Sequence, residues 1–150
     1  MLLNTAVFGE IDVAPEDIFH LPDGLYGFEC ASDYALITKQ DEDVTLMWLQ
    51  AVGSTAPCFV VFDPFAVAEG YAPKLEDADM NRLEAASQDD LRFLVIAVVP
   101  DDISRISVNL KSPVVVNKKT GKARQVILAN QDYPIKYFLF GEFGQEPEQE

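Results

Sequence analysis

The apolar runs of this chain are short, and each is cut off by a proline, an asparagine or a charged cluster, which constrains the fold more than any other feature. Cys58 to Phe62 stops at Asp63-Pro64, Phe93 to Val99 stops at Pro100, and Val114 to Val116 stops at Asn117-Lys118-Lys119. Runs of three to seven branched and aromatic residues bounded by such breakers read as strands, because a helix needs a longer periodic stretch to bury a face. Tyr34 to Thr38 and Val44 to Gln50, separated by Gln40-Asp41-Glu42-Asp43, read as a paired hairpin. Leu2 to Phe8 and Ile11 to Val13 flank Gly9-Glu10 as a second hairpin. Asn117 to Lys122 reads as a loop joining Val114–Val116 to Gln125–Leu128. Cys58–Phe62 is expected to be a strand covered on both faces and Phe93–Val99 a central strand. Ile106, Val108 and Leu110 alternate with polar residues, which predicts a strand with one wet face.

One segment has a different period. Met80 and Leu83 recur among acidic residues between Glu76 and Ala86, with Asp77 and Asp79 placed to favour the positive end of a helix dipole. The fold expected is therefore all-β in the main, an antiparallel barrel-like sheet or strongly bent sandwich, with one short helix near 76–86. The 150 residues fit one domain over 1–137, followed by a C-terminal extension over 138–150 whose last seven residues are expected to be disordered.

Residues 21 to 29, Leu-Pro-Asp-Gly-Leu-Tyr-Gly-Phe-Glu, form a loop built for shape. Pro22 fixes a turn-like φ, Gly24 and Gly27 can enter left-handed conformations, and Tyr26 and Phe28 are expected to pin the loop onto a core. No atom in it is an obvious catalyst.

The net charge is −14. Residues 1–50 carry ten acidic side chains against one lysine, whereas residues 101–150 carry seven of each sign. Binding to a phosphate backbone relies on Lys and Arg displacing counterions, so direct contact with nucleic acid is disfavoured over most of the surface. A cationic protein partner suits the charge better, although plain solubility is served equally well.

The search for reactive groups returns no constellation. His20 is the only histidine and has no serine elbow or reactive cysteine motif to serve. Cys30 and Cys58 lack Cys-x-x-Cys spacing and read as buried free thiols. Asp41-Glu42-Asp43 and Asp77-x-Asp79 do not extend into a calcium loop. Thr120-Gly121-Lys122 lacks the first glycine and the final hydroxyl of a phosphate-binding loop. Asp63, ahead of Pro64, reads as the cap of the following turn. Trp48 fits either core packing or a binding patch. No cofactor or metal is expected, and the reading is of a binding protein rather than an enzyme. No segment reaches the roughly 18 apolar residues of a membrane span, and no basic start leads into a long apolar run, so a cytoplasmic monomer is expected.

Six blocks resemble the FliW family of flagellar assembly factors, in the family's order and spacing. They are Phe8 to Ile11, Leu21 to Glu29, Trp48 to Gln50, Phe59 to Phe65, Val108 to Asn117 and Arg124 to Leu128. The resemblance implies a single β-barrel-like domain without catalysis and with two protein partners. These are the RNA-binding regulator CsrA, whose repression of flagellin mRNA would be relieved, and flagellin, which would compete for the same protein. Pro22, Gly24, Gly27, Phe28, Trp48, Pro64 and Pro113 are expected to set the architecture. Glu29, Asp33, Asp63 and Phe65 are expected on the partner surface, with Asn109 and Asn117 as polar edge contacts. The other readings are a dedicated flagellin chaperone without CsrA, and a small hydrolase using His20. The chain departs from the family after Lys136, where Tyr137, Phe138, Leu139, Phe140 and Phe143 stand in place of a histidine–proline ending.

Overall fold

A computed structural model describes residues 2–5, 8–29, 31–41, 44–53, 57–128 and 131–140. Residues 42–43 of the predicted charged turn, Cys30, and Phe143 with the rest of the last ten positions lie outside the described residues.

The strands are β1 (Leu2–Thr5), β2 (Gly9–Asp12), β3 (Ile18–His20), β4 (Asp33–Asp41), β5 (Val44–Ala51), β6 (Cys58–Phe62), β7 (Leu91–Val98), β8 (Ser107–Val108), β9 (Val114–Asn117), β10 (Ala123–Gln125) and β11 (Tyr137–Phe138). Two short helices join them, α1 (Pro64–Val67) and α2 (Asp77–Arg82). All named strand pairs are antiparallel, in the order β10-β9-β7-β6-β5-β4-β3, with β8 paired to the end of β7 and β11 to β8. The sheet curls until its ends meet. The His20 N–H donates to the Gly121 carbonyl at 2.8 Å, and His20 and Lys122 form one parallel bridge. One bridge is a seam and not a ladder, so the sheet is barrel-like without being a closed barrel.

Alternation along the central strands sorts side chains into two cores. Leu94, Val114 and Val116 point inward to Leu21, Leu25, Leu36, Leu49 and Val61. Phe93, Val95 and Val115 point outward to Tyr71, Leu75, Leu83, Leu110, Val126 and Leu128. The covering on both faces predicted for β6 is thus found on β7 and β9. Of β6 only Val61 is fully buried, because β6 pairs with β7 at Val61 and Phe62 alone and then diverges. Leu3 and Val13 of the N-terminal hairpin region pack on Ala35 at the outside of β4.

Several boundaries move for local reasons. Gly9 pairs with Thr5, so Gly9-Glu10 belongs to β2 and the turn comes before it. The Thr5 hydroxyl holds that turn, donating to the Gly9 carbonyl and accepting from the Phe8 N–H, both at 2.8 Å. The predicted helix over 76–86 shortens to α2, ended by Glu84 at φ 57. Helix α1 was not foreseen. Asp63 caps it, accepting from the Phe65 N–H at 2.9 Å, with Pro64 in its first turn, where a missing N–H costs nothing. β8 is two residues long and Ser107 is buried, so its wet face is absent. The Asn109 side chain accepts from the Lys111 and Ser112 N–H groups and turns the chain immediately after Val108. The predicted extension begins inside β11, whose pairing covers the β8 edge.

Candidate partner-binding groove

The loop over residues 21–29 is two tight turns in series. The Gly24 N–H bonds to the Leu21 carbonyl at 2.8 Å and the Phe28 N–H to the Leu25 carbonyl at 2.7 Å, with Gly24 at φ 66 and Gly27 at φ 88. Both glycines occupy the left-handed region that other residues enter only with strain. The leucines, not the aromatics, pin the loop: Leu21 and Leu25 are fully buried, whereas Tyr26 is 54% and Phe28 41% exposed. This corrects the expected anchoring by Tyr26 and Phe28. Two longer-range contacts fix the loop's orientation. The Tyr26 N–H donates to Gln125 Oε1 at 3.0 Å, and the Arg124 guanidinium donates to Asp23 at 2.8 Å. The chain thus holds two aromatic side chains out into water on a braced backbone.

They border an apolar groove of about 290 Å³, whose walls include Tyr26, Phe28, Phe59, Ile96, Val98 and Ile135. The Phe28 ring meets the Phe59 ring edge to face at 5.0 Å between centroids. The groove forms where β6 and β7 part, so the inner core opens to the surface there. Gln125, Asn109 and Lys136 contribute polar groups to its wall.

The remaining hollows differ in chemistry. A wider cleft of about 570 Å³ contains Asp23, Arg82, Glu84, Lys122 and Arg124, and four of these charges already pair, Arg124 with Asp23 and Lys122 with Glu84 at 3.1 Å. It cross-braces the loop, α2 and β10. A third hollow of about 420 Å³ holds Asp63, Phe65, Arg92 and Lys118, with Phe65 half exposed against Phe93 and Tyr71.

The structure distributes the residues expected on the partner surface among different places. Glu29 is exposed at the loop's end and accepts from the Gly27 N–H at 3.2 Å. Asp33 lies at the start of β4, 2.7 Å from His20 Nδ1, with both side chains substantially exposed. Asp63 and Phe65 share the third hollow, while Asn109 lines the apolar groove. Asn117 is placed differently from its expected role. It is 2% exposed and donates to the Leu83 and Glu84 carbonyls at 2.9 and 3.3 Å, while accepting from the Lys119 N–H at 2.9 Å. It clasps the C-terminal end of α2 and presents nothing to a partner. Tyr26, Val98 and Ile135 were not singled out as contacts, because only the fold brings residues from three distant segments to one groove.

Of the residues expected to set the architecture, Gly24, Pro64 and Pro113 are buried, and Pro22 and Gly27 are exposed turn positions. Trp48 is half-buried on the outer face of β5, edge-on to Phe8 at 4.8 Å. Cys58 is a free, half-buried thiol, and burial pushes its pKa up. Among the described residues no group of His, Cys, Asp and Glu is arranged to hold a metal ion, and no helix is long and apolar enough to cross a membrane.

Comparison with known proteins fits this geometry to a family. The family model described as FliW protein matches residues 2–139. The flagellar assembly factor FliW of Ruminiclostridium cellulolyticum is 38% identical over 97% of this chain and 99% of its own length. That of Thermoanaerobacter pseudethanolicus is 35% identical over 95% of each. A crystal structure of the flagellar assembly factor FliW superposes with a TM-score of 0.84 at 29% identity, covering 95% of this chain and 99% of the other. With the match running from β1 through β11, the chain belongs to the FliW family of flagellar assembly factors.

Proposed function

We propose that this protein acts in flagellar assembly as a non-catalytic cytoplasmic binding protein that holds CsrA and flagellin in competition. The end-to-end similarity to proteins named flagellar assembly factors carries the reading. Bound to CsrA, it would relieve repression of flagellin mRNA; newly made flagellin would displace CsrA and restore repression. The charge supports the scheme physically. A body of net charge −14 docked beside an RNA-binding surface repels a phosphate backbone without touching it. Glu29, Asp33 and Asp63 supply exposed or half-exposed carboxylates for a cationic partner.

A two-partner competition pull-down tests this. The immobilised protein is expected to retain CsrA and to release it as flagellin is added. Capture of flagellin alone would support a dedicated chaperone instead, and capture of neither would overturn the proposal. The His20→Ala variant is expected to behave as the parent protein does, whereas a hydrolase reading predicts a turnover that this variant abolishes.

A further inference from the structure

We propose that the apolar groove between the 21–29 loop and Ile135 receives an amphipathic helix of a foreign protein, apolar on one side and cationic on its flanks. The inference rests on the binding-protein reading above and names the chemistry of one docking site. Tyr26, Phe28, Val98 and Ile135 are 54%, 41%, 58% and 62% exposed, and all four line the same groove. Exposed apolar groups gathered in a concavity mark an interaction site, whereas scattered ones mark nothing.

Charge selects among the possible occupants. Glu29, exposed and next in sequence to Phe28, adjoins the lining, whose one charged member is Lys136, and the body as a whole carries −14. The chain's own last ten residues carry Glu142, Glu146, Glu148 and Glu150 and no basic residue, so the same net charge repels them. A second copy is disfavoured twice over. Two bodies of charge −14 repel, and a two-fold contact would set one concavity over another instead of filling it. A basic foreign segment meets neither objection.

The state of the wall selects helix over strand. Gln125 already accepts from the Tyr26 N–H and donates to the Ser112 carbonyl, and Asn109 Oδ1 already accepts from two backbone N–H groups. An extended segment would press its unpaired backbone groups against Phe28, Phe59 and Val98. A helix satisfies those groups internally and can insert one or two apolar side chains.

The test uses a synthetic helical peptide with leucines along one face and lysines on the other, compared with a scrambled peptide of equal composition and a version with glutamate in place of lysine. Titration into the full-length protein, followed by calorimetry and by NMR shifts, is expected to show the striped lysine peptide binding at least tenfold tighter than either control. Shifts should centre on Tyr26, Phe28, Val98 and Ile135. The doubly substituted Tyr26→Ser, Ile135→Ser protein, altered only at exposed positions, is expected to lose at least tenfold in affinity while unfolding at an unchanged urea midpoint. Equal binding of the scrambled peptide, or shifts centred elsewhere, would overturn the inference. A tenfold gain in peptide affinity for Phe143→Ala would make the tail the occupant, and dimerisation abolished by Ile135→Ser would make it a second copy; either also overturns it. If the striped peptide fails to bind while the competition pull-down succeeds in both parent and double variant, the groove assignment falls and the binding-protein reading stands. If the pull-down fails and the peptide still binds at the groove, the reverse holds.

Discussion

Gly24 rests against the backbone of Glu29: a Cβ built on Gly24 would lie 2.6 Å from the Glu29 Cα and 3.0 Å from its carbonyl carbon and oxygen. Neither partner can yield, because both are main chain in tight turns. Gly27 has a similar positive φ, yet a Cβ there meets nothing within 4 Å. Gly27→Ala is expected to lose about 1–2 kcal/mol from the left-handed backbone alone. Gly24→Ala adds overpacking of about 1–3 kcal/mol more. Urea unfolding of the two variants should reproduce that order, and equal losses would show that the close approach is not a constraint.

Asn117 ties the β9–β10 hairpin to the end of α2. Replacing it with alanine removes the donor to the Leu83 and Glu84 carbonyls and the acceptor for the Lys119 N–H in a nearly dry site. Leaving such groups unpaired costs about 1–3 kcal/mol. Asn117→Asp is expected to lose as much or more, since a carboxylate repels the carbonyls that the amide donated to. Urea midpoints measure both losses, and the proposed binding of CsrA is expected to be unchanged in the folded fraction of Asn117→Ala. Reduced affinity with full stability would restore Asn117 to the partner surface.

The Tyr71 hydroxyl donates to the Leu110 carbonyl at 2.7 Å, and burial, with a smaller contribution from neighbouring Tyr133, pushes its pKa above the ordinary phenol value. The unfolded chain titrates near pH ~10, so the stability gained from the neutral phenol is complete below that value and is lost as pH rises beyond it toward the folded pKa. Tyr71→Phe is expected to cost about 0.5–1.5 kcal/mol at neutral pH, and the gap between parent and variant should shrink above pH ~10. Paired urea titrations at pH 8 and near pH ~10.5 measure the gap. A gap that widens with pH would place the phenolate in the folded state and reverse the assignment.

Strand positions were legible wherever an apolar run met a breaker, as at Cys58–Phe62 and Phe93–Val99, because period and punctuation are local properties. Which strand would be covered on both faces was not. That depends on β6 leaving β7 after two paired residues, a tertiary event with no sequence mark. Asp63 was readable as a cap because its partner, the Phe65 N–H, is two residues away. The place of Asn117 is not legible in the sequence, because the carbonyls it donates to lie 33 and 34 positions distant, just past the end of α2. The groove was half visible: residues 21–29 announced a shaped loop, but the burial of Leu25 and exposure of Tyr26 follow from where Gln125 and Arg124 hold it.

Arg124 offers the sharpest test of that hold. Its guanidinium is 2.8 Å from Asp23 in the loop and 3.9 Å from Asp79 on α2, and it is 17% exposed beside an Asp79 that is 16% exposed. Arg124→Ala strands the Asp79 carboxylate in a largely dry place and frees the loop, for a loss of about 1–3 kcal/mol. Arg124→Lys is expected to recover little, because a point-like ammonium cannot serve two carboxylates with the reach of a planar fork. Asp23→Asn should cost less than about 1 kcal/mol, since Asp23 is 66% exposed and water replaces the ion pair. Hydrogen exchange provides the local readout: the Tyr26 amide, bonded to Gln125, is expected to lose more protection in Arg124→Ala than amides of β7 do. If the groove depends on this bracing, the same variant weakens the striped peptide without touching it, because Tyr26 and Phe28 must then be ordered at the moment of binding. Undiminished protection at Tyr26 together with undiminished peptide affinity would show that Gly24, Leu21 and Leu25 hold the loop without help from β10.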